Sequence, residues 1–191
     1  MTTLPPGLKP AVLPSPLQNL IVEKLEQSAD SVHLSDLHAL ALQVEHNLRY
    51  QHSWTDLHIH THSPISNQLL PRPLVSGLPP QRLYIHPDEQ IELLKNADRK
   101  RKASKQAQDT LDVEVAPEPE WVLPTRLNEK WTLRRLSDVF NAISIVPPTA
   151  DENGTPNPWR TTKRVLLATT DSDSTITYYI VHDGVVKPRQ N

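Results

Sequence analysis

RVLLATTDSDSTITYYIV, Arg164 to Val181, holds two apolar runs around a short polar turn. Arg164 to Thr169 is almost continuously apolar, and Thr175 to Val181 is β-branched and aromatic throughout. Asp171-Ser172-Asp173-Ser174 lies between them. Such runs on either side of a turn predict a β-hairpin with a loop of about five residues. Ile176, Tyr178 and Ile180 fall on one face of the second strand, and Thr175, Thr177, Tyr179 and Val181 on the other. A strand apolar on both faces is expected to be buried on both, by its own domain or by another chain. A long apolar strand with a free edge also invites pairing with a neighbour. Asp171 and Asp173 suit plain turn chemistry. They equally make a compact negative tip for Arg or Lys forks.

Upstream, Thr132 caps a helix with Leu133, Leu136, Val139, Phe140 and Ile143 on one face and Arg134, Arg135 and Asp138 on the other. Pro147 and Pro148 end it. Glu120 to Pro124 (EWVLP) and Gln81 to His86 (QRLYIH) read as short strands, and Pro87 opens a helix through Ile91, Leu93 and Leu94. Pro64 to Pro80 is proline-rich, with Gly77 expected at a turn. Trp54 to Thr61 reads as a strand with His58, His60 and His62 on one face. A helix capped by Ser35 or Asp36 carries Leu37, Leu40, Ala41, Val44 and Leu48. Another is expected around Leu17, Leu20, Ile21 and Leu25, with Lys24 snorkelling. The expected organisation is a disordered leader over 1–16, then a single domain over 17–191 with a disordered insertion at about 96–119.

The composition narrows the function classes. The 191 residues include 19 prolines, no cysteine and a net charge of −2. Disulfides, thiolate metal sites and a Cys nucleophile are therefore excluded. No apolar run is long enough to span a membrane, and Met1 to Pro16 lacks the pattern of a secretory signal. Charge is unevenly spread: six bases and one acid from Lys95 to Lys105, then five acids and no base from Asp109 to Glu120. The run at 99–102 reads as a nuclear localisation signal, an RNA-contacting patch or a plain solvated face. Trp54, Trp121, Trp131 and Trp159 are expected in core or interface. A near-neutral chain is not expected to bind RNA strongly by itself.

LLATTDSDSTITYYIVHDG resembles the C-terminal β-loop-β of tRNA-splicing endonuclease subunits. LPRPLVSGLPPQRLYIHPDEQ (Leu70 to Gln90), WTDL (Trp54 to Leu57) and EWVLPTRLNEKWTLRRLSDVFNAI resemble the small accessory subunit of the eukaryotic enzyme, in a form that looks fungal. The resemblance covers roughly Val32 to Asn191. It implies a compact α/β domain, a mixed sheet flanked by helices, with a C-terminal hairpin used for dimerisation. It implies a heterotetramer of two catalytic and two accessory subunits that removes introns from precursor tRNA. In that scheme Thr175, Ile176, Thr177, Tyr178, Tyr179, Ile180 and Val181 pair across a dimer interface, and Asp171 and Asp173 enter a basic pocket on a catalytic subunit. The partners are the catalytic and structural subunits, with precursor tRNA reached through the complex. The isolated chain is left as a monomer or a homodimer. The nucleus is the expected location, or the cytoplasmic face of an organelle in some fungi. No cofactor or metal is expected.

Catalytic subunits of this family cleave with a Tyr, a His and a Lys. Lys163 falls where that Lys would, and is a candidate RNA contact. Tyr84 and His86 do not match the family's Tyr and His motifs, and the glycine-rich segment around that His is absent. An accessory, non-catalytic role is expected. The rival motif is DLHIHTHS, Asp56 to Ser63, which resembles the first metal motif of the PHP phosphoesterases. His58 and His60 on one strand face have ligand geometry, but two ligands do not make a site. The plainer reading is a polar row on a half-buried strand.

Overall fold

A computed structural model describes residues 13–27, 35–103, 115–148 and 157–185. The element order is α1 (Pro16–Gln27), α2 (Ser35–Gln51), β1 (Thr55–His62), β2 (Leu69–Leu78), α3 (Pro87–Ala103), β3 (Glu120–Arg126), α4 (Leu133–Ala142), β4 (Arg164–Thr170) and β5 (Ile176–His182). The five strands form one sheet in chain order. β3 and β4 run parallel, joined through α4, and the other pairs are antiparallel. The expected mixed α/β sheet with flanking helices is borne out.

The sheet is buried on both faces because its central strands carry apolar side chains on both. On one face Ala41, Val44 and Leu48 of α2 pack on Val75, Val122, Leu166 and Ala168, with Trp54. On the other, Val139 and Phe140 of α4 with Ile143 pack on Leu74, Trp121, Leu123 and Val165. Thr132 caps α4 as expected, its hydroxyl accepting from Arg135 N at 3.3 Å. Leu133 is 87% exposed, so the apolar face of α4 begins to bury only one turn later.

Three expectations are corrected. The proline-rich stretch contains β2, and Gly77 lies inside that strand rather than at a turn. A Cβ at Gly77 would stand 2.6 Å from Leu57 Cδ2, so the site favours glycine for close approach. QRLYIH forms no strand; Arg82 there is drawn instead to Glu89 and Glu118. α3 runs past Asn96 to Ala103, so the first part of the supposed insertion is helical. Residues 104–114 of that stretch, and 1–12 of the expected leader, lie outside the described residues.

Candidate assembly surface

β5 closes one end of the sheet, and among the described residues nothing pairs with its outer edge. Its inner edge is in register with β4 from Thr170↔Ile176 to Arg164↔His182. The expectation of burial on both faces holds only in part. Ile176 and Tyr178 pack against the α2-side core, and Val181 against the α4-side core. Tyr178 anchors the strand: its hydroxyl donates to Asn47 Oδ1 of α2 at 2.6 Å. Burial pushes its pKa well above the ordinary tyrosine value. Tyr179 and Ile180 remain 56% and 39% exposed, and Thr175 and Thr177 are exposed as well. Of the seven strand residues read as interface, the chain's own core therefore claims Ile176, Tyr178 and Val181 in part.

The hairpin loop is a turn followed by a left-handed residue. Asp171 N donates to Thr175 O at 2.9 Å, Ser174 N donates to Asp171 O at 3.1 Å, and Ser174 has φ 70°. A type I turn followed by an αL residue is a standard three-residue hairpin loop. Asp171 Oδ1 accepts from Ser172 N at 2.6 Å, and Asp173 Oδ1 accepts from Thr175 N at 2.8 Å. The backbone hydrogen bond from Thr175 holds the Asp173 carboxyl below the usual range. Both side chains shape the turn, yet both are exposed, leaving each a second oxygen toward solvent. Leu127 adjoins the base of the loop: its N–H donates to Thr170 O at 2.9 Å, and its side chain is 62% exposed. Sequence reading missed Leu127 because a lone leucine in a polar loop carries no periodicity.

Lys163 is tied to α4. Its Nζ donates to Phe140 O at 2.7 Å, in the last turn of α4. Tyr84 and His86 belong to a different neighbourhood: Tyr84 packs edge-on against His182 at 4.7 Å and lies under Arg164, and His86 stacks on Trp159 at 5.6 Å. Lys163 and Arg164 are neighbours in the chain, at the start of β4, but reach different partners. Lys163 reaches α4, while Arg164 reaches Tyr84.

His58 and His60 do share a face, with rings 6.5 Å apart. His60 Nε2 is hydrogen-bonded to Ser76 Oγ at 2.7 Å, and its ring packs edge-on against Trp121. Burial, helped by the charge His58 would carry, lowers its pKa to about 4. Among the described residues no group of three or more His, Cys, Asp or Glu side chains is placed to hold a metal. The phosphoesterase-like motif is thus a half-buried strand row packed on the sheet core. No described helix is long and apolar enough to cross a membrane.

Fold and edge together define a layered α/β domain whose sheet ends in a half-exposed apolar strand. The chain belongs to the Sen15 protein family, whose model matches residues 43–191. A Neurospora crassa protein named "Probable tRNA-splicing endonuclease subunit tsp-1" is 46% identical over 163 residues, covering 81% of this chain and 67% of that protein. The family resemblance in the sequence, fungal form included, is borne out.

Proposed function

We propose that this chain is a non-catalytic subunit of the tRNA-splicing endonuclease. It supports assembly with a catalytic subunit through the outer edge of β5 and the Asp171–Asp173 tip. The observation that carries the reading is the position of β5: a seven-residue apolar strand at the end of the sheet, with Tyr179 and Ile180 exposed. Exposed flat edges of this kind are usually blunted by charge, proline or a bulge. Ile176 to Val181 contains none of them. Family membership supports the complex, and the match of Lys163 alone to the family's catalytic Tyr, His and Lys supports the lack of a cleavage site of its own. Residues 17–191 act as one domain on this reading, and the complex works in the nucleus. When the true partner is absent, β5 pairs with β5 of a second copy about a two-fold axis.

The test is co-purification from the source cell with a tagged chain. The wild type is expected to bring down three endonuclease subunits. Asp171→Lys with Asp173→Lys is expected to keep only the partner held by β5. Tyr179→Lys with Ile180→Lys, at exposed positions that leave the fold intact, is expected to lose that partner and to turn the isolated chain monomeric. Wild-type chain that brings down no endonuclease subunit would overturn the reading.

A further inference from the structure

We propose that the C-terminal half of α3 is a cationic arm that contacts the phosphate backbone of the precursor tRNA. The inference rests on the reading of this chain as an endonuclease subunit, and adds a place where the subunit meets the substrate.

The helix is held to the domain at its first turn. There Glu89 is buried, pairing with Arg82 at 2.5 Å and accepting from Asn157 at 3.4 Å. Beyond that turn it stands in solvent: Lys95, Arg99, Lys100, Arg101 and Lys102 are all exposed. From Lys95 to Lys102 the five bases meet one acid, Asp98, for a net of four positive charges. Asp98 does not cancel them. It accepts from Arg101 at 2.9 Å and Lys102 at 2.7 Å, and those two bases keep its carboxyl below the usual range. The pairs brace the helix at i,i+3 and i,i+4, while Lys102 keeps 74% of its side chain in solvent.

The arrangement selects the partner. Lys95, Arg99 and Lys102 follow the i, i+4, i+7 spacing of one helix face, a stripe about 10 Å long at ~1.5 Å per residue. Lys100 and Arg101 flank it. Protein interfaces are built on an apolar centre; the exposed Ile91 and Leu94 of α3 precede the basic run, and from Lys95 to Lys102 the only apolar residue is Ala97. A row of cations without an apolar anchor matches a polyanion, read by charge and not by sequence. A single arm on a chain of net charge −2 is an auxiliary contact, effective within the complex.

The experiment uses the reconstituted endonuclease complex, with the full chain either wild type or carrying Arg99→Gln, Lys100→Gln, Arg101→Gln and Lys102→Gln. Glutamine matches lysine and arginine in helix propensity, so circular dichroism should not change. Co-purification before RNA is added establishes assembly. Precursor tRNA affinity is then measured against salt. The slope of log affinity on log salt is expected to shrink by about 2–3, at ~0.7–0.9 for each phosphate no longer neutralised. KM for precursor tRNA should rise roughly 100-fold or more at ~0.1 M salt, with kcat unchanged. Lys100→Arg with Lys102→Arg should keep the wild-type slope. A glutamine complex that assembles and keeps the wild-type slope and KM overturns the arm. So does one whose only defect is loss of nuclear accumulation, which would assign the run to transport. Wild-type chain that fails to enter the complex sinks the subunit reading first, at the co-purification step, and this proposal with it.

Discussion

His60 is kept neutral by the fold, and that has a consequence for pH. Its folded pKa is about 4, against an ordinary value of 6.5. The unfolded chain therefore binds more protons between those values, and stability falls as pH drops from 6.5 toward 4. Partial solvent access to the ring limits the loss to about 1–2 kcal/mol. Urea midpoints at pH 7 and pH 5 should converge in His60→Gln, which keeps a hydrogen bond to Ser76 but cannot titrate. Equal pH dependence in both proteins would remove His60 as the cause. Lys163 makes the second residue-scale case. Its ammonium on Phe140 O completes the C-terminal end of α4. Lys163→Ala should cost about 1 kcal/mol of unfolding free energy and leave precursor tRNA affinity of the complex unchanged. A loss of affinity at constant stability would support Lys163 as an RNA contact instead. Neither role was legible in the sequence: a strand alternation shows that His60 shares a face with His58, but not that Ser76 and Trp121 occupy that face.

At the scale of elements, what was legible follows from which signal dominated. β4, β5, β3 and α4 were read correctly because period and composition agree there. β2 was hidden by Pro71 and Pro73. Its pairing with β3 runs only through Val75, Ser76 and Gly77. Continuing that register would set Pro73 opposite Pro124, and neither has an N–H to give. The strand survives because the prolines lie where the β3 side is unpaired, an arrangement that only the register reveals. The loop between β4 and β5 offers a sharper test. Ser174 sits at φ 70°, where an L-residue pays for its Cβ and glycine does not. Ser174→Gly should raise thermal stability by up to about 1 kcal/mol while leaving co-purification intact, because Asp171 and Asp173 keep their backbone partners. A destabilised variant would mean that the turn depends on the serine itself.

Across the whole molecule, the chain is closed by a buried set of charges that the charge blocks in the sequence did not foretell. Arg82, Arg160 and Arg164 converge on Glu89, Glu118 and Glu120. Glu120 and Arg164 face each other at the starts of the parallel strands β3 and β4, their bond short and their side chains nearly dry. Burial opposes the charge on Arg164, but the hydrogen bonds and field of Glu120 and Glu118 outweigh it and raise its pKa. Arg160 adds a bond to Ile145 O, and Arg82 one to Ala116 O. The set therefore ties residues on both sides of 104–114 and of 149–156 to the end of the sheet. Such a network is weak evidence for net stabilisation, since desolvation offsets much of the attraction, but removing one member strands the others. Glu120→Gln should thus cost about 3–5 kcal/mol, out of a total of roughly 5–15 for a domain. Glu120→Leu combined with Arg164→Met should cost less than the single change, because it removes both charges and keeps the volume. Urea unfolding of the three proteins decides it. A single variant within about 1 kcal/mol of wild type would mean that water reaches Arg164 and that the closure rests on the apolar layers alone.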